Sequence, residues 1–476
     1  MPRFHIENFG CRAARADGEA IAGRLRALAA DSCALAADQP SAADLVIVNT
    51  CTVTAEADRA ARAYIRRAHR RNPAARIVVT GCYAQRAPDE LAAMPGVKAV
   101  IGNSHKALAP QIAFSLLQSA TQPGSGANLQ AGALVQIGTL HDAPAAQAAC
   151  APPQVIWADD RFAHSFLEEA QLVPGEQTRP NLKIQEGCSN RCTFCVIPFT
   201  RGPSKSLPYA AVLRHVQEFA AAGGNELVLS GINLGRWGRD SAACEPRTLA
   251  GLVREILEQT SLPRLRLSSI EPMDWDEDLI GLMREFGGSR LARHAHLPLQ
   301  SGSDAVLWRM HRRYRPWHYA AKVDALFSAA GPDLTLGADV MVGFPGETDR
   351  EFEETAAFIH ELPFGYLHLF PFSPRPGTPG WALHAAAPVS PLIVEARMAG
   401  LRALAAEKTR AHRSRFLGRD LATITLHTPA PAAGRSRTKA LTENFLPVDL
   451  DGMFQANQLL TVRATGLNEA GELIAC

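Results

Sequence analysis

Nine residues constrain this chain more than any others: Gly187-Cys188-Ser189-Asn190-Arg191-Cys192-Thr193-Phe194-Cys195. They place three thiols in the order C-x-x-x-C-x-x-C. The preceding run, Leu182-Lys183-Ile184-Gln185, reads as a short strand, so the thiols sit on the loop that leaves it. Three thiolates on one tight loop grip three corners of an iron–sulfur cube and leave the fourth iron open to a small chelating ligand. A zinc site would want a fourth Cys or His close by. None stands between Gln185 and Pro208 beyond these three cysteines. The plain alternative is three cysteines buried as small apolar side chains.

A second set of thiols is dispersed. Phe4-His5-Ile6 precedes Cys11, Leu45 to Thr50 precedes Cys51, and Arg76 to Gly81 precedes Cys82, with helical patterns at about 17–30 and 55–71 between them. Strand–helix alternation argues for a parallel sheet covered by helices. In such sheets the loops after the strands emerge along one edge, where ligands bind. One topological rule therefore gathers Cys11, Cys51 and Cys82, and their convergence suggests a second cluster. Three unrelated core cysteines are the alternative.

The 476 residues suffice for two or three cores, and 47% apolar composition fits globular folding. A net charge of +2 excludes no partner, because basic residues can still cluster. The N-terminus shows no basic segment followed by an apolar one, and no apolar run approaches about 18 residues. The expectation is a cytoplasmic protein without a membrane partner, where clustered thiols favour metal over disulfides.

Residues 1–118 form the first expected domain. Residues 119–178, rich in Ala, Gly, Pro and Gln, read as a linker or insertion. Over 179–405, strand candidates fall near 182–186, 226–230, 264–269, 294–299, 334–342 and 366–371. Helical stretches follow most of them, so an open partial (β/α)6 barrel is expected, with active groups at the strand C-termini. Residues 412–476 carry short strands separated by turn residues and read as a small all-β barrel.

With both thiol sets placed, the chain resembles the radical S-adenosylmethionine (SAM) methylthiotransferases over nearly its whole length. The motifs that carry this are Asn8-Phe9-Gly10-Cys11, Asn49-Thr50-Cys51-Thr52-Val53-Thr54, Thr80-Gly81-Cys82, Lys183 to Cys188, and Val342-Gly343-Phe344-Pro345-Gly346-Glu347-Thr348. The resemblance implies an α/β fold in three parts. These are an N-terminal parallel α/β domain, a central radical SAM partial barrel and a C-terminal all-β barrel of the TRAM type. It assigns Cys188, Cys192 and Cys195 to the radical SAM 4Fe–4S cluster, and Cys11, Cys51 and Cys82 to an auxiliary 4Fe–4S cluster. It also implies two uses of SAM, one to generate a 5′-deoxyadenosyl radical and one to methylate sulfur.

The form N-T-C-T-V-T resembles the subgroup acting at C2 of N6-threonylcarbamoyladenosine in the tRNA anticodon stem-loop. Sister groups act on isopentenyladenosine in tRNA or on an aspartate of ribosomal protein S12. A non-catalytic iron–sulfur RNA-binding protein is the reading from another class. Implied partners are tRNA, a sulfur donor, and an electron donor such as flavodoxin or ferredoxin. Where relatives tend to have Arg-Ser-Arg after the third cysteine, this chain has Lys205-Ser206-Leu207, which puts a phosphate contact from that loop in doubt.

Candidate SAM contacts are Gly231, Asn233, Glu271 and Gln300 at strand ends and Asp339 within the fifth strand. The turn Gly343–Glu347 is expected to start a helix and wall the cofactor. For RNA, Arg59, Arg62, Arg66 and Arg70 share one helix face. Arg435, Arg437 and Lys439, with the basic run from Lys408 to Arg419, mark the last domain. Cys33, Cys150, Cys244 and Cys476 read as incidental. His294 and His296 share one strand face, where packing or base stacking is the plainer role and metal ligation the alternative.

Overall fold

A computed structural model describes residues 3–29, 35–37, 39–120, 155–163, 179–240, 248–428 and 437–476. Arg435, Cys33, Cys150, Cys244 and most of 119–178 lie outside these residues. Two compact units are present. One comprises Met1–Phe9, Ile21–Thr52 and Glu56–Ser165; the other comprises Gly10–Ala20, Val53–Ala55 and Phe166–Cys476.

The first unit is built on six strands: β1 (Arg3–Asn8), β2 (Leu35–Ala36), β3 (Leu45–Thr50), β4 (Arg76–Gly81), β5 (Val97–Gly102) and β6 (Val155–Trp157). They lie in the order β2-β1-β3-β4-β5-β6 and every pairing is parallel. Every residue of β3 is buried, as a parallel strand covered on both faces requires. The helix Ala55–Arg71 buries Ala61, Tyr64, Ile65 and Ala68 at helical spacing and packs them on Val46, Val48, Ile77 and Val79. Its acids, Glu56 and Asp58, fall in the first turn, and His69, Arg70 and Arg71 fall in the last, where each complements the helix dipole. Strand β6 arises from the stretch whose composition reads as linker, because Val155-Ile156-Trp157 extends the sheet beside Ala99 to Ile101.

In the second unit, β7 (Asn181–Glu186), β9 (Glu226–Gly231), β10 (Arg264–Leu267), β11 (His294–His296), β12 (Thr335–Val342) and β13 (Phe364–Pro371) run parallel. They coincide with the six strand candidates. The short β8 (Lys205–Ser206) pairs antiparallel at the β7 edge. Between β10 and β11 the ladder thins to one bridge, Leu265 to Leu291, so the barrel is two sheets joined at a seam. Leu182, Ile184, Leu227, Leu229, Leu265, Leu267, Leu336 and Val340 alternate onto the helix-covered face and form one core. The residues between them, among them Lys183, Gln185, Glu226, Arg264, Arg266, His294, His296 and Asp339, take the opposite face and line the lumen.

The last strands, β14 (Asp420–Thr425), β15 (Arg437–Thr442), β16 (Pro447–Asp451), β17 (Leu459–Leu467) and β18 (Leu473–Ala475), close into a barrel in the order β14-β15-β16-β18-β17. The helix Pro391–Ser414 leads into it. Much of the basic run seats this barrel on the larger one. Arg419 donates to both oxygens of Asp333 at 2.8 and 2.6 Å, Arg415 to Pro332 O at 2.7 Å, and Arg266 Nη2 to Thr442 O at 3.1 Å. No helix among the described residues is long and apolar enough to cross a membrane.

Candidate cofactor and substrate site

Strand β7 delivers the chain into the thiol loop through Gly187, whose φ is +69°. A Cβ there would stand 2.1 Å from Pro203 O, so only glycine permits this close return of the loop on itself. Cys188 N donates to Gly202 O at 3.0 Å, and Gln185 Nε2 donates to Gly187 O at 2.9 Å. Gln185 Oε1 accepts from Asn233 N at 2.6 Å, which ties the loop after β9 to the loop after β7.

Cys188, Cys192 and Cys195 line a cavity of about 210 Å³. Its walls include Phe194, Ile197, Asn233, Ser269, Glu271, Gln300, Arg312 and Asp339. Four of the five SAM-contact candidates thus share one cavity with the thiols. Gly231 stands behind the wall instead, where a Cβ would press on Gln185 Cβ at 2.9 Å. The turn Gly343–Glu347 does not line the cavity. Glu347 folds back to accept from Gly343 N and Arg397, both at 2.8 Å, and Thr348 opens the next helix with a capping box.

Cluster binding agrees with these residues. Burial pushes the Cys195 thiol up to about 12 and raises Cys188 as well, so metal must displace protons to bind here. Donors already face the sulfurs: Asn190 N at 3.4 Å and Asn233 Nδ2 at 3.6 Å to Cys188, and Arg312 Nη1 at 3.3 Å to Cys192. Such contacts support thiolate ligands. Asn233 Oδ1 and Gln300 Oε1 are buried without a hydrogen-bond partner. Buried acceptors without partners suit a ligand that carries ammonium, amine or hydroxyl donors. Gln300 holds φ +63°, a strained backbone of the kind found at ligand sites.

Arg312 is a residue that sequence reasoning missed. It pairs with Glu271, which fixes that carboxylate at the cavity wall. No local pattern signals it, because its partner Cys192 is 120 residues away. Asp339 accepts from His296 Nε2 at 3.1 Å and His368 Nδ1 at 3.3 Å. Burial would raise its pKa, and these two bonds outweigh it and hold the carboxylate below its usual range.

In the first unit, β1, β3 and β4 are adjacent and parallel, so the chain leaves all three at one sheet edge. Cys51 directly follows β3 and Cys82 directly follows β4, both buried, while Cys11, three residues after β1, is exposed and belongs to the second unit. Asn103 Nδ2 donates to Cys82 Sγ at 3.4 Å. Gly81 adopts φ +97°, and a Cβ would lie 2.3 Å from Thr50 O, so glycine lets the ends of β3 and β4 close up beneath the thiols.

Arg59, Arg66 and Arg70 are exposed on one helix, while Arg62 is engaged by Tyr83 and by Glu90 at 3.1 Å. Arg437 pairs with Asp449 at 2.9 Å and Lys439 with Glu472 at 2.6 Å, which balances charge that the sequence presents as a basic patch. Leu207 is buried in the core of the larger barrel, so it offers no contact to a phosphate. Arg201 is buried too, paired with Glu186 at 2.7 Å and Asp17 at 3.1 Å.

An open parallel barrel with a three-thiol loop at its C-terminal mouth defines a radical SAM protein, and residues 182–359 match the Radical SAM superfamily. Residues 3–102 match the Uncharacterized protein family UPF0004. The chain is 36% identical to threonylcarbamoyladenosine tRNA methylthiotransferase MtaB of Bacillus subtilis, over 72% of this chain and 68% of that protein. It is 30% identical to the protein of the same name from Rickettsia prowazekii, over 98% and 96%. It is also 33% identical to tRNA-2-methylthio-N(6)-dimethylallyladenosine synthase of Erythrobacter litoralis, over 81% and 78%. The chain belongs to the radical SAM methylthiotransferase family, which uses SAM and two 4Fe–4S clusters. Among solved structures it is similar in fold to the radical SAM methyltransferase TsrM of Kitasatospora setae. The TM-score is 0.50 at 16% identity, covering 80% of this chain and 74% of that one.

Proposed function

We propose that this protein methylthiolates C2 of N6-threonylcarbamoyladenosine in the tRNA anticodon stem-loop. The observation that carries the chemistry is the cavity in which three thiols face Asn233, Glu271, Gln300 and Asp339. The relatives named for threonylcarbamoyladenosine, which span up to 98% of the chain, support the substrate. Cys188, Cys192 and Cys195 would hold a 4Fe–4S cluster, whose chemistry when bound is the reductive cleavage of SAM to a 5′-deoxyadenosyl radical. Around it, Asn233 and Gln300 present acceptors, Arg312 holds Glu271 in place, and Phe194 and Ile197 narrow the site against water. Cys11, Cys51 and Cys82 are the candidate ligands of the auxiliary cluster. Arg59, Arg66 and Arg70 offer phosphates an exposed surface.

The test is mass spectrometry of nucleosides in total tRNA from cells with and without the gene. Loss of 2-methylthio-N6-threonylcarbamoyladenosine, with the unmethylthiolated precursor accumulating, is the expected result. Loss of the methylthio-isopentenyl nucleoside alone would transfer the activity to that substrate. Unchanged tRNA would point to ribosomal protein S12.

A further inference from the structure

The lumen of the larger barrel is charged where a barrel of this kind could have been apolar. Glu226, the first residue of β9, is fully buried and serves three guanidinium groups. Arg266 Nε reaches it at 2.8 Å, Arg264 Nη1 at 3.2 Å and Arg179 Nη1 at 3.3 Å. A fourth guanidinium, that of Arg12, stands over the Phe445 ring at 5.6 Å, and Arg266 covers the same ring at 5.5 Å. Glu443, another acid beside this group, is taken by Arg293 at 2.6 Å. Three guanidiniums therefore share one carboxylate, an excess of two positive charges, and Arg12 joins them at the Phe445 ring. Arg266 is fully buried and its Nη1 has no hydrogen-bond partner. Burial, reinforced by Arg266, lowers the pKa of Arg179 and Arg264 against the raising pull of Glu226. With Arg264 and Arg266 buried and the Arg179 side chain 20% exposed, a cation excess at one carboxylate is costly unless an anion completes it.

The floor connects to the reaction cavity through one wall. Asp339 lines the cavity and meets His296 at 3.1 Å; Tyr366 Oη bridges His296 Nδ1 at 2.9 Å and His294 Nε2 at 2.8 Å; His294 stacks on Phe445 at 4.3 Å. His294 lies two residues below His296 on β11, about 6.7 Å by strand rise. A threonylcarbamoyl group sets its carboxylate four bonds beyond N6 of the adenine, roughly 5–6 Å. The arm is thus comparable in length to that step along β11.

We propose that Arg12 and Arg266, backed by Arg179 and Arg264, receive the carboxylate of the threonylcarbamoyl arm and select it over a dimethylallyl arm. This rests on the substrate reading above and assigns its recognition to named residues. An apolar arm entering the same space would strip water from the guanidiniums and return no partner, which sites built for a polar group reject strongly.

The test uses the holoenzyme and three anticodon stem-loop RNAs. One carries N6-threonylcarbamoyladenosine, one its neutral carboxamide, and one isopentenyladenosine. Kd by fluorescence anisotropy and kcat/KM by nucleoside analysis are measured for wild type, Arg12→Gln and Arg266→Lys. Wild type is expected to favour acid over amide roughly ten- to a hundredfold, mainly in Kd and KM. Each variant is expected to shrink that ratio severalfold. Arg12 is exposed, so Arg12→Gln remains informative if Arg266→Lys does not fold. Equal handling of acid and amide by wild type overturns this assignment alone, as does an undiminished ratio in Arg12→Gln. Turnover of the isopentenyl RNA with none of either threonylcarbamoyl RNA overturns the substrate reading as well.

Discussion

Arg312 does two things at once, and only its forked head allows both. Nη1 reaches Cys192 Sγ at 3.3 Å while Nη2 pairs with Glu271. Burial would lower its pKa, and Glu271 opposite more than compensates, so the charge is held firmly at the thiol loop. A lysine is a point charge and cannot serve both partners. Arg312→Lys is therefore expected to shift the reduction potential of the cluster on this loop to more negative values, on the order of tens of millivolts, through loss of a hydrogen bond to sulfur. A redox titration followed by electron paramagnetic resonance measures it; an unchanged potential would show that this contact does not tune the cluster. The thiols were legible because three of them fall on one loop. Arg312 was not, because nothing local marks an arginine whose partner lies 120 residues away.

At the scale of elements, the helix Pro391–Ser414 links the two barrels of the second unit, and His412 is buried near its end. His412 Nε2 and Thr335 Oγ1 are 2.8 Å apart, which ties the helix to the start of β12. Burial, and then Arg415 and Arg413, push His412 down to about 4. The unfolded chain then binds the extra proton between roughly pH 6.5 and 4, so stability is complete above 6.5 and falls as pH drops through this window. The loss amounts to about 3 kcal/mol at most. Guanidinium unfolding at pH 7 and pH 5 is expected to show a larger drop for wild type than for His412→Asn. Equal drops would place the pH dependence elsewhere. Six barrel strands were readable because apolar residues alternate on a covered face. Strand β15, Arg437 to Thr442, is masked in the sequence, because its basic residues suggest an RNA surface and they pair with Asp449 and Glu472 only once the barrel closes.

For the whole molecule, two thiol sets stand at the ends of parallel strands in two separate sheets. Cys188→Ser is expected to abolish 5′-deoxyadenosine formation by reduced, SAM-supplied protein under anaerobic conditions. Cys82→Ser is expected to keep that product and lose methylthiolation. Equal loss of both activities in both variants would contradict separate roles for the two sets. By itself the sequence determined the class of chemistry, the parallel sheets and the mouth of the larger barrel, since these follow from spacing and periodicity along a local chain. Tertiary structure alone decided which charges meet. Arg312 at the thiols, Leu207 in the core, the paired bases of the last barrel and the arginines gathered around Glu226 are contacts between distant residues. Their energies depend on burial and geometry that no local pattern carries.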